Sequence, residues 1–564
     1  MSTNMKEIEF QTASYEQWEE QAIKALKGKP FESLFTKTIE GVTLEPLYTQ
    51  EMLVEKLGDQ LEKQVATIRA LSATNGVQIA QQITGDSPDQ FFSNLDESLS
   101  RGNNIITIDS RLPFTVDGQF TAKLSDYLTE YSFKLMVENE NDPLLKVFNG
   151  IEENKRDSVE GFIISKGAVN LKGYSKVRTL GANTIPYHND GANAVQELAL
   201  ALALAAKQLK TADSYEAFAS KFFVNFAIDT QFFAEIAKLR AFKVLWKAFA
   251  AGVGVQAIAV PIVAETSVRS FSKVDVYVNL LRAGNEAFAG AIGGADVLTV
   301  HPHDVLTKPT ATSTRIAQNA LLVINEESHV LNVLDPAGGS YFIESLTADY
   351  VKAAWALFLE IEEAGGIEAY KETISTQIEE VYKQRITEVE TRKHSLIGTN
   401  IYANPVDELP IEENPQFSDV KRLAIPFENL RKEFAAANAK IAILTFGELK
   451  NFKPRADFVA GFFNTAGISP EQSGALDTID AAKAWLAQAD ADYVCIVATD
   501  DDTKELVPAL LADKPSYIVL DAAGKFKEEA DAWLSKGLNG FIFAGQNIIE
   551  KLRAVTASMK EVQR

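Results

Sequence analysis

Cys495 is the only cysteine in 564 residues, so an intrachain disulfide and a cysteine-built metal cluster are both excluded. It stands in the apolar run 493–498 and reads as a buried strand residue. A single thiol suits a reducing cytoplasm. Basic residues are also short: 55 Lys and Arg against 77 Asp and Glu give a net charge of −22. Nucleic acid and anionic lipid need a basic face, so neither is expected as a general partner. A small anionic ligand stays open, because a few local cations suffice to hold a phosphate. No apolar run approaches the roughly 20 residues that span a bilayer. Residues 1–10 are polar and acidic, which is not the pattern of a secretory or transit signal. Histidine is scarce as well: there are 5, and none follows His394.

What remains is an ordinary globular composition, 46% hydrophobic and 23% charged, in a chain too long for one common domain. Residues 1–44 read as an N-terminal arm. Ser14 caps a helical stretch with Gln17 three residues on, and Gly28-Lys29-Pro30 ends it. Such an arm packs either on a partner or on its own domain. Over 45–390, short β-rich runs such as 104–108 and 162–165 alternate with helical patterns such as 194–209 and 232–249. That alternation predicts an α/β fold, a (β/α)8 TIM-type barrel. Residues 391–437 form a linker or surface belt, with Pro405, Pro410, Pro415 and Pro426 among acids. Residues 438–564 carry strand patterns at 441–446, 493–498, 517–521 and 540–544, with helical patterns at 481–489 and 528–536 between them. That order predicts a doubly wound, flavodoxin-like domain.

Several blocks resemble one family. Glu40-Gly41-Val42-Thr43-Leu44-Glu45-Pro46-Leu47-Tyr48-Thr49 looks like an entry into a barrel. Phe232-Phe233-Ala234-Glu235-Ile236-Ala237-Lys238-Leu239-Arg240-Ala241, with Leu245-Trp246, looks like a helical signature. Arg315-Ile316-Ala317-Gln318-Asn319 and Asp335-Pro336-Ala337-Gly338-Gly339-Ser340-Tyr341-Phe342 follow. In this order they resemble methylmalonyl-CoA mutases. The resemblance implies a barrel around an acyl-CoA thioester and a cobalamin-binding domain. It also implies radical interconversion of methylmalonyl-CoA and succinyl-CoA, a step in propionate metabolism. The adenosylcobalamin cofactor supplies the hard chemistry there.

The departures from that pattern are grouped. Active members carry Asp-x-His-x-x-Gly after the first strand of the small domain, and the histidine ligates cobalt. In this chain Leu449 stands for the aspartate, Asn451 for the histidine and Pro454 for the glycine. Leucine cannot orient an imidazole, and asparagine is a poor cobalt ligand. Thr499-Asp500-Asp501-Asp502 replaces a serine-rich turn and reads as a solvated helix cap. Ala522-Ala523-Gly524 replaces a glycine pair. On the barrel side the family's Pro-Phe-x-Arg-Gly stretch and its substrate-pressing tyrosine have no counterpart; a polar helix runs instead from Glu51 to Asn75.

One substrate-side signal survives. Pro186-Tyr187-His188-Asn189-Asp190-Gly191-Ala192 resembles the family's Gly-Tyr-His-Met-Gln-Glu-Ala, whose histidine touches the thioester carbonyl. His188 is either a structural relic or a ligand contact. His301 and His303 alternate and lack a third ligand, so a metal pair is not expected. His329 reads as a structural residue on a helix, and His394 as solvated near the linker. Gly338-Gly339 lacks phosphate-loop spacing and reads as a tight turn.

The resemblance therefore implies the small, non-catalytic chain of a heterodimer. Adenosylcobalamin and most of the acyl-CoA would be held by a homologous catalytic large subunit, in the cytoplasm. His188 is then vestigial and Asn451 marks a degenerate cobalt-ligand position. The alternative is an acyl-CoA isomerase active on its own, with atypical or no cobalamin binding. A loading factor ranks last, since no phosphate loop is visible.

Overall fold

The computed structural model describes residues 13–72 and 76–562. The readings of residues 1–10 and of Asn75 lie outside the described residues. The arm begins as expected. Helix Tyr15–Ala25 starts at Ser14, whose side chain accepts from the Gln17 amide while Gln17 reaches back to Ser14. No residue of this helix is buried. Its rings instead pack locally, Tyr15 on Trp18 and Trp18 on Phe31, at 5.4 and 6.1 Å.

Two parallel sheets make the large unit. One has the order Gln78–Ile79, Val297–Thr299, Ile262–Thr266, Phe222–Ile228, Leu180–Asn183. The other has the order Ile105–Asp109, Ser132–Val137, Gly161–Ser165, Val177–Arg178. An isolated parallel bridge, Gln82 to Thr107, joins the sheets at one side. At the other side the segment 177–183 pairs first with one sheet and then with the other. Parallel strands covered on both faces read as continuous apolar runs. Phe222–Ile228 is such a run, buried throughout.

Helices cover the outside. Ala194–Leu209 starts at Asn193, which forms a capping box with Gln196. Its Leu and Ala residues from 198 to 203 are all buried, as expected of a helix apolar all round. In Phe232–Gly252, Trp246 stacks on Phe222 at 5.0 Å and donates to the Ile258 carbonyl at 2.8 Å. Among the described residues no helix is long and apolar enough to cross a membrane.

The C-terminal unit is one parallel sheet, ordered Glu471–Gln472, Ile441–Thr445, Tyr493–Val497, Val519–Ala523, Gly540–Ile542. The edge strand Glu471–Gln472 escaped the sequence reading: it has two residues, both exposed, and no periodicity to find. Apolar clusters lie on both faces. One includes Val389, Leu396, Leu423 and Phe427, so parts of the segment 391–437 and its helix Ile425–Ala437 belong to this core.

Candidate functional site

The strand Leu180–Asn183 leads into the short helix Ile185–Asp190, which carries His188. Gly191 ends it at φ 123°, and a Cβ there would fall 2.6 Å from Tyr382 Cβ; a side chain would collide. The His188 ring is fully buried. Its Nδ1 lies 2.8 Å from Glu197 Oε1 and its Nε2 2.8 Å from Ser267 Oγ. Burial raises the Glu197 pKa, but Lys238 and His188 outweigh that and lower it from its ordinary value. An ionised acceptor assigns the proton to Nδ1, so Nε2 accepts from the Ser267 hydroxyl.

The surroundings are charged and closed. Lys238 Nζ lies 3.4 Å from Glu197 and 2.6 Å from Glu235, and donates to the Ala227 carbonyl at 2.6 Å. Burial pushes the Glu235 carboxyl up. Arg269 donates to the carbonyls of His188 (3.0 Å) and Ala192 (2.8 Å) and pairs with Asp229. Hydroxyl, imidazole and carboxylate in line is the arrangement that activates a serine nucleophile. Here Ser267, His188 and Glu197 are all buried.

Burial drives the His188 pKa down to about 4, Arg269 adding to the effect, from an ordinary value of 6.5. An unfolded imidazole takes its proton as pH falls through 6.5, whereas the folded one stays neutral to about 4. Stability is therefore lost as pH falls across that window, by roughly 3 kcal/mol in all. In urea unfolding between pH 4 and 8, His188→Gln is expected to flatten this part of the slope. An unchanged slope would remove His188 as its source.

Between the sheets a second polar layer sits within apolar ones. Lys134 Nζ lies 3.1 Å from both Glu265 Oε2 and Thr299 Oγ1. Burial raises the Glu265 pKa, but Lys134 and His301 overcome it and hold the group at about 2. Ala80, Ile105, Phe162, Ile164, Phe223, Val263 and Val297 pack together here, with the Phe162 and Phe223 rings 5.2 Å apart. This space is filled by side chains.

The segment 411–423 crosses the C-terminal ends of these strands. Asn414 bonds the Val305 and Leu306 carbonyls. Gln416 accepts from Gln82 at 3.0 Å, Phe417 meets the His301 ring at 5.2 Å, and the Lys421 amide donates to Asn189 O at 3.1 Å. A cavity of about 600 Å³ lies beside this strap, lined by Gln82, Arg111, Lys308, Arg315 and Gln416 among others. Arg111 is paired there to Asp109 and Lys308 to Asp86.

In the C-terminal unit, Leu449 and Asn451 fall in the first turn of helix Leu449–Asn464 and Pro454 falls inside it. Both Leu449 and Asn451 are exposed. One turn on, Arg455 donates to the carbonyls of Ala498 (2.7 Å) and Ala523 (3.2 Å) and pairs with Asp500. It spans the carboxyl ends of two adjacent strands, where open α/β sheets bind ligands. Thr499 caps helix Asp500–Ala512, as read from the sequence.

Two histidine readings need correction. His329 lies past the helix Ala311–Glu327, in left-handed backbone at φ 57°, because that helix ends at Ser328. His394 is half-buried rather than solvated, and burial lowers its pKa. His301 packs under Phe417 and lies 3.6 Å from Glu265. His303 packs against Tyr277 at 5.3 Å. Among the described residues no group of three His, Cys, Asp or Glu is placed to hold a metal ion. Gly338 closes the expected tight turn, its amide donating to Asp335 O at 3.0 Å. Sequence reasoning missed Glu197, Lys238, Ser267, Arg269, Lys134 and Glu265. The available signal was a charge inside an apolar run, as at Lys134 and Glu197.

These features define a parallel α/β protein of two units whose strand-end charges are paired inside its core. The chain belongs to the methylmalonyl-CoA mutase family. A family model described as methylmalonyl-CoA mutase matches residues 168–448. The methylmalonyl-CoA mutase small subunit of Porphyromonas gingivalis is 29% identical, over 97% of this chain and 97% of that one. The small subunit from Propionibacterium freudenreichii subsp. shermanii is 26% identical, over 96% and 94%. A probable methylmalonyl-CoA mutase small subunit of Mycobacterium tuberculosis is 32% identical, over 67% of this chain and 65% of its own length.

Proposed function

We propose that this chain is the non-catalytic small subunit of a heterodimeric, adenosylcobalamin-dependent methylmalonyl-CoA mutase, acting in the cytoplasm. Its two large-unit sheets are read as one (β/α)8 barrel, closed through the Gln82–Thr107 bridge and the shared segment 177–183. The C-terminal strand order, second, first, third, fourth, fifth, is that of flavodoxin-like sheets. The observation that carries the reading is the packed barrel axis. Phe162, Phe223, Val263 and the Lys134–Glu265 pair fill the space between the sheets, where the family resemblance puts a thioester. The strap through Phe417 lies over the end of the barrel where active sites form.

The residues do not fit cobalamin. Asn451 replaces the metal ligand, and Arg455 lies across the crevice. No step of the isomerisation is assigned to this chain. His188 serves the fold, with Glu197 and Ser267 as its fixed partners. The cofactor and acyl-CoA belong to a homologous large subunit, which this chain stabilises through a broad interface. Co-expression with a candidate large subunit tests this. A stable pair that converts succinyl-CoA to methylmalonyl-CoA is expected. Failure to pair, or full activity and stability of the large subunit alone, contradicts the reading.

A further inference from the structure

Three chain segments converge to expose an unusual number of large apolar side chains. Tyr277 and Leu281 are each 72% exposed, Tyr402 80%, Val406 78% and Ile411 100%. The segments are tied together. The Asp275 amide donates to Asp407 Oδ2 at 3.2 Å, Arg282 donates to the Ile397 carbonyl at 2.7 Å, and Lys273 pairs with Glu413 at 2.6 Å. A single exposed leucine needs no explanation, but a contiguous group marks an interaction surface. The backbone is strained on both sides of the group. Asp275 and Tyr402 hold left-handed φ of 49° and 53°, where a bulky aromatic is rare. That strain persists only where the surrounding contacts impose it.

Charge narrows the occupant. Residues 397–414 include Asp407, Glu408, Glu412 and Glu413 but no Lys, Arg or His. A second copy of this chain, with net charge −22, would bring like charge to like. The surface instead fits a different chain, with basic residues set between apolar pockets for Tyr277 and Tyr402. Aromatic anchors of this kind dominate interface energies. We infer that this strip is where the homologous large subunit docks; the inference rests on the small-subunit reading above.

The test uses full-length chains co-expressed with the large subunit, and size-exclusion chromatography with light scattering. Tyr402→Asp with Val406→Asp is expected to weaken pairing at least tenfold while leaving the melting temperature of the isolated chain unchanged. Val253→Asp, at a residue 48% exposed outside the strip, is expected to pair like wild type. If the double variant melts early, Ile411→Asp asks the same question at a fully exposed position. Pairing of these strip variants at wild-type strength overturns the strip and leaves the subunit reading intact. A wild-type chain that does not pair overturns both.

Discussion

Arg240→Met lowers the unfolding free energy by about 3–5 kcal/mol, read from urea unfolding near neutral pH. Arg240 lies in the helix Phe232–Gly252 and is fully buried. One guanidinium nitrogen pairs with Asp335 and another with Glu344. Glu344 also accepts from Gln64 Nε2 at 2.6 Å and from the Gly339 amide at 2.9 Å. This fork ties the central helix to the tight turn at Gly338-Gly339 and to the helix Tyr341–Glu363. Methionine fills much of the same volume, so packing loss is small. The cost comes from two buried carboxylates that lose the guanidinium paired to both of them. Arg240→Lys is expected to recover little, because one ammonium cannot serve both carboxylates as a planar fork does. A loss under about 1 kcal/mol in Arg240→Met would show that the carboxylates find water or protons instead.

Much of the architecture was legible because local signals agreed. The helical pattern read over 194–209, an almost unbroken Ala and Leu run, matches the helix Ala194–Leu209. The run 162–165 fell within the strand Gly161–Ser165 because buried parallel strands are apolar on both faces. What escaped was short or paired at long range. The segment 177–183 carries Gly181 and Asn183 and lacks an apolar run. Lys134 and Glu265 are 131 residues apart, and no spacing rule joins them. His188 was visible as a motif residue, but its sealed environment depends on Glu197, Ser267 and Arg269, which only the fold assembles. Asn451 was matched to the family's cobalt-ligand position with no secondary structure assigned to it. The structure puts it on a helix, since residues 449–453 contain nothing that breaks one.

The side chains packed between the two sheets of the large unit and the Arg455 bridge lead to the other large effect. Cobalamin bound in this family's manner needs a metal ligand, an open crevice and a thioester site facing it. On the reading proposed above, those places are taken by Asn451, Arg455 and the Phe162–Phe223 contact. The isolated protein, titrated with adenosylcobalamin in the presence of succinyl-CoA and followed by absorbance, is expected to show no saturable spectral change. It should retain no cofactor on gel filtration and form no methylmalonyl-CoA. A stoichiometric coloured complex that isomerises the thioester would contradict the account.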